Sequence, residues 1–196
     1  MKTYFAWTLL IITSGLFGYG VAIGNPPTPS NQHNDNDEPQ YINPAIQSYG
    51  QVVKLSESAH QPRDASKIVV DITQGSDPDK LNSALEKLCR YVNIYAGAGR
   101  APAKVDIAVV LHGGATLTIL NHETYAARFK TKSNPNLACL RELVQSGVKV
   151  FVCGQSLIGK DAKPTQVSEY AQVAVSALTS LVNLQADGYS YIPLLK

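Results

Sequence analysis

Charge is scarce in this sequence. Asp, Glu, Lys and Arg make up 16% of its 196 residues, the formal net charge is +2, and no block of Lys or Arg is dense enough to grip phosphates. Nucleic acid is therefore not an expected partner. The signatures of several large enzyme classes are missing too. There is no CxxC, no HExxH and no GxSxG nucleophile elbow, and neither GxGxxG nor the phosphate loop GxxxxGK[ST] occurs. No cofactor and no metal is implied. Cysteine is limited to Cys89, Cys139 and Cys153, an odd count that leaves at least one thiol unpaired within the chain. What remains is ample apolar material. Hydrophobic residues reach 44%, which argues against global disorder, and the length suits one domain better than two.

The N-terminal region differs from the rest. Lys2 precedes an apolar run from Tyr4 through Phe17, and Gly20-Val21-Ala22 fits the small-x-small rule of signal peptidase. Residues 1–22 therefore read as a secretory signal, which predicts a periplasmic or secreted protein. The competing reading is an uncleaved membrane anchor, because the segment is nearly long enough to span. Residues 24–40 hold four prolines, many Asn and Asp, and no apolar residue. They cannot bury enough surface to offset chain entropy, so residues 23–44 are expected to be a disordered linker to a single domain over 45–196. A short strand is expected over Gln51–Leu55.

From Lys67 the pattern alternates between strand and helix. KIVVDIT (67–73), KVDIAVVL (104–111) and VKVFVC (148–153) are unbroken apolar runs of strand length. Asp77-Pro78 reads as the start of a helix carrying Leu81, Leu85, Leu88, Val92 and Tyr95. A less regular helical region runs from Leu117 to about Phe129, and Asn134-Pro135 opens another with Leu137, Leu140 and Val144. The longest helix is expected over about Thr165–Gln185. Val167, Ala171, Ala174, Leu178 and Leu181 form one stripe on it, and Val173, Ala177 and Leu184 a second, so it would be buried on two sides, one against a subunit. Tyr189–Ile192 makes a last strand. Apolar strands separated by helices predict an α/β fold, a three-layer α/β/α sandwich around a mostly parallel sheet of about four to five strands.

In an open parallel sheet, ligands bind outside the carboxyl ends of the strands. Here those ends carry Gly75-Ser76, His112-Gly113-Gly114 and Cys153-Gly154-Gln155-Ser156. Cys153 is the candidate nucleophile, with His112 as thiolate partner or substrate polariser. Gly113, Gly114, Gly154, Gln155 and Ser156 are candidates to hold an anionic substrate through exposed backbone amides and polar side chains. Against these stand plainer readings: a buried cysteine ending a core strand, a hydrogen-bonded histidine and a simple glycine turn. A metal role for Cys153, His112 and His122 matches no standard zinc spacing. Asn134 and Asn136 read as a helix cap and a first-turn residue. Cys89 and Cys139 fall on helical apolar faces, where core packing is the default and a disulfide stays open.

KVFVCGQS, the preceding helix opened by NPN and ended by Gly147-Val148, and the tail LQADGYSYIP together resemble the DsrE/DsrF-like family of sulfur-oxidation and sulfur-relay proteins. YGQVVKL…QP, KIVVDIT and the LHGG turn resemble its exported branch. The resemblance runs from about residue 45 to the C-terminus. It implies an α/β/α sandwich, assembly into trimers or hexamers, and a sulfur-accepting thiol at Cys153 that carries persulfide sulfur between partners. The implied partners are a sulfur-donor or acceptor protein or a small sulfur anion. A non-catalytic homo-oligomer that binds a small anion is the alternative.

Overall fold

The computed structural model describes residues 38–194. The expected signal segment, and the linker up to Asp37, lie outside the described residues. Strand β2 (Val52–Val53) lies in the strand expected over Gln51–Leu55, and it pairs antiparallel with β1 (Tyr41–Ile42), which falls in the stretch expected to be disordered linker. Asn93 explains why this arm is ordered. Its fully buried side chain accepts from the amides of Ala45 and Ile46 at 3.0 and 2.8 Å and donates to the carbonyls of Ile46, Tyr49 and Gly50 at 3.0–3.1 Å. A buried amide so fully satisfied is a strong local constraint. Gly50 meets the need for close approach: it has φ +68, and a Cβ there would lie 2.2 Å from the Arg90 nitrogen.

The alternation expected from Lys67 onward is observed. In chain order come β3 (Ser66–Ile72), α1 (Ser83–Asn93) with a π turn over Ile94–Ala98, and β4 (Val105–Leu111). A 3₁₀ stretch over Gly113–Ile119 leads to α2 (His122–Phe129), α3 (Leu137–Gln145), β5 (Lys149–Cys153) and the single turn α4 (Gly154–Ile158). The chain ends with β6 (Gln172–Ala174), α5 (Ala177–Ala186) and β7 (Ser190–Pro193). Strands β6-β5-β4-β3-β7 form one sheet in that order, and every pairing is parallel.

Burial on both faces accounts for the apolar strands. One face presents Ile68, Val70, Ile72, Ile107, Val109 and Leu111 to Leu85 and Leu88 of α1 and Leu140 and Leu143 of α3. The other presents Val69, Ala108 and Val110 to Ala177, Leu181 and Leu184 of α5. Each fully buried leucine stabilises the fold by about 1.5–3 kcal/mol. The layers are thus helix, parallel sheet, helix, as the sequence predicted.

Two local expectations need correction. The helix expected from Asp77-Pro78 begins at Ser83, where the Asn82 side chain accepts from the Ala84 amide at 2.9 Å. Asp77 instead closes a turn through the Lys80 amide. The long helix over 165–185 does not exist. Pro164–Gln166 is a 3₁₀ turn, Val167 forms an isolated antiparallel bridge with Leu120, and Gln172–Ala174 is the edge strand β6. Ser176 then starts α5, its Oγ accepting from the Thr179 amide at 3.1 Å. Apolar residues at helical spacing in that stretch are shared between a strand and a helix. Val173 and Val175 suit a pleated surface at least as well as a helix.

Candidate functional site

β4 and β5 end side by side. Leu111 pairs with Val152, so His112 and Cys153, each one residue further on, complete the next level of the sheet. Side chains alternate along a strand. Asp71, His112 and Cys153 therefore follow Val69, Val110 and Phe151 on the face covered by α5. The strand order places these residues on neighbouring strands, with Tyr191 of β7 beyond Asp71. A thiol, an imidazole, a carboxylate and a phenol share the carboxyl end of one sheet face.

Cys153 serves as the residue before α4, and its Sγ accepts from the Ser156 amide at 3.4 Å. Burial pushes this thiol up. Hydrogen bonds from the Ser156 side chain and from the backbone amides of Ser156, Ala177 and Gln155 outweigh it, holding Cys153 below the ordinary cysteine value. Amides of two segments thus face the sulfur, those of Gln155 and Ser156 in α4 and that of Ala177, the first residue of α5. Gly154 lies against the Ala174 carbonyl, which lets β6 cross close by. The residue is only 5% exposed. The buried-core reading and the reactive reading therefore meet in one residue, a covered thiol whose hydrogen bonds favour the thiolate.

His112 is not a solitary strand-end histidine. Its Nε2 lies 2.8 Å from Asp71 Oδ1, and the Tyr191 hydroxyl donates to Asp71 Oδ2 at 2.7 Å. Asp71 is only 8% exposed. A carboxylate accepting at both oxygens places the imidazole proton on Nε2 and leaves Nδ1 as the basic nitrogen. The same contact holds the Tyr191 hydroxyl above its usual value, first through the hydrogen bond to Asp71 and then through burial. Neither Asp71 nor Tyr191 was singled out from sequence. The available signal was Asp71 itself, the one carboxylate inside the apolar run KIVVDIT.

Gly113 and Gly114 sit at the end of β4 beside the turn that follows β3. Gly113 has φ +54, and a Cβ on Gly114 would lie 2.7 Å from the Gly75 nitrogen. These glycines let the β3 and β4 turns pack backbone against backbone. Ala115 donates from there to the Thr73 carbonyl at 3.1 Å. Gln155 and Ser156 stand with Cys153. His122 is occupied elsewhere, its Nδ1 accepting from the Asn134 amide at 3.1 Å. Among the described residues no three His, Cys, Asp or Glu side chains gather to hold a metal ion.

Asn136, not Asn134, is the residue before α3, and neither side chain caps that helix. Both are buried. Asn134 Nδ2 donates to the Thr118 and Leu120 carbonyls, and Asn136 Oδ1 accepts from the Asn82 amide at 2.8 Å. Two clefts lie away from the strand ends. One of about 690 Å³ separates the arm from α1 near Tyr49 and Arg90, and one of about 490 Å³ surrounds His122, Asn134 and Arg141. Neither is lined by Cys153 or His112. The candidate site rests on the side chains gathered at the strand ends.

Residues 67–194 match the sequence model of the DsrE/DsrF-like family. No curated protein matches the chain. Among solved structures, a protein of unknown function from Methanobacterium thermoautotrophicum, MTH1491, is similar at 16% identity and a TM-score of 0.48. The alignment covers 66% of this chain and 99% of that one.

Proposed function

The chain belongs to the DsrE/DsrF-like family, which supports a sulfur-relay type of role, and on that premise we propose that Cys153 is its sulfane-sulfur acceptor. The observation that carries this reading is the Ser156 amide donating to Sγ at 3.4 Å, with Cys153 held below the ordinary cysteine value despite its burial. The thiolate attacks the outer sulfur of a donor such as thiosulfate. A new S–S bond forms on Cys153, the donor's S–S bond breaks, and sulfite leaves with the bonding pair. Charge and electrons balance without an added oxidant or reductant. His112 takes the thiol proton at Nδ1 and gives it to the leaving group, while Asp71 holds the imidazole by its other nitrogen. Amides near Gly113, Gly114 and Gly154, with Gln155 and Ser156, hold the anion. The low exposure of Cys153 selects a small donor. The reading includes export of the mature chain.

A second reading, an assembly module, has its own support. Val175, Leu178 and Val182 are 74%, 76% and 65% exposed, all on or just before α5. No charged residue lies between Glu169 and Asp187. An uncharged apolar surface fits a second copy of itself with no like-charge repulsion to overcome. The proposed occupant is therefore another copy of this chain, which suits the trimeric or hexameric assembly expected from the family resemblance. Sulfur loading separates the two readings. A sulfur adduct on the wild type and none on Cys153→Ser supports the acceptor, and a wild type inert to thiosulfate and polysulfide leaves the assembly module.

A further inference from the structure

The three thiols are sorted by the sheet. Cys89 on α1 and Cys139 on α3 lie in the core on one face, both fully buried, whereas Cys153 belongs to the opposite face under α5. The strands stand between them, so Cys153 cannot exchange with either partner in the folded chain. Cys89 and Cys139 face each other directly, with their sulfur atoms 3.0 Å apart.

We propose that Cys89 and Cys139 are a disulfide-forming pair that covalently joins α1 to α3, leaving Cys153 as the single free thiol. The S–S bond length is about 2.05 Å, so closure needs the sulfurs to approach by about one ångström, a shift within reach of side-chain torsions. The residues are 50 apart in sequence, so no local geometry brings them together; the packing of the two helices does. Their site also dictates when the bond forms. In the folded state the Cys139 thiol is pushed far up, by its hydrogen bond with Cys89 and then by burial, and no oxidant reaches it. The bond therefore forms as the chain folds, by exchange with a small disulfide. One thiolate attacks oxidised glutathione, giving a mixed disulfide and one glutathione thiolate. The second cysteine then displaces the other glutathione and closes the bridge. Two thiols are oxidised and one glutathione disulfide is reduced. The inference is independent of the sulfur-acceptor reading.

The test uses the full-length chain carrying Cys153→Ser, so that only the pair remains. The protein is refolded in oxidised and reduced glutathione, unfolded in guanidinium with iodoacetamide, and weighed before and after reduction. The expected result is no alkyl adduct without reductant and two with it, at all protein concentrations, with one cross-linked peptide containing Cys89 and Cys139. Adding Cys89→Ala restores one alkylatable thiol. Two adducts without reductant, a persistent glutathione adduct, or an intermolecular dimer in place of the bridge would overturn the proposal.

Discussion

His112 donates from Nε2 to Asp71 Oδ1 across 2.8 Å, so the imidazole beside Cys153 has a fixed tautomer and a buried counter-charge. Asp71→Asn removes that charge and the acceptor that orients the ring. Sulfur loading of Cys153 at neutral pH should fall roughly tenfold, within the range that general acid–base catalysis by a positioned side chain contributes. The check is the pH profile of loading measured by mass. A merely structural Asp71 would lower the yield of folded protein and leave the profile of the folded fraction in place.

The thiol should titrate below an ordinary cysteine. Its rate of alkylation follows the thiolate, so the rate should rise with pH and level off at a lower pH than for free cysteine. Ser156→Ala removes the side-chain donor and should move that midpoint upward. An unchanged midpoint would mean that the Ser156 hydroxyl contributes nothing.

On the apolar flank of α5, Leu178→Lys with Val182→Lys places like charges on a surface proposed to meet its own copy. Light scattering should show an assembly for the wild type and a single chain for the double variant. Both side chains are exposed in the single chain, so the variant should keep its fold and its circular dichroism spectrum. A wild type that is already a single chain contradicts the interface.

The Cys89–Cys139 bridge should also register in stability. Closing a loop between residues 50 apart stabilises by about 4 kcal/mol in the chain-entropy model. Urea unfolding of the oxidised chain should therefore have a higher midpoint than that of chain refolded with reductant. Equal midpoints would mean that the two states carry the same cross-links.

Much of this was legible in the sequence because the core strands are nearly pure apolar runs. KIVVDIT, KVDIAVVL and VKVFVC each became a parallel strand, and their carboxyl ends carry the candidate residues His112 and Cys153. The C-terminal third was harder to read. Val173, Ala174, Ala177 and Leu178 satisfy a helical period and a strand-then-helix equally well, and hydrogen bonding around Ser168 and Ser176 decided the outcome. The Asp71–His112–Tyr191 cluster was hidden for another reason. Its members come from three strands, and β7 lies beside β3 only because the last crossover returns to that edge. Period and spacing carry no record of such a neighbour.

The most direct measurement is intact mass spectrometry of the chain after incubation with thiosulfate, beside Cys153→Ser. The account predicts one added sulfur atom on the wild type, removed by a thiol reductant, and none on the variant. An unmodified wild type, or the same adduct on Cys153→Ser, would contradict it.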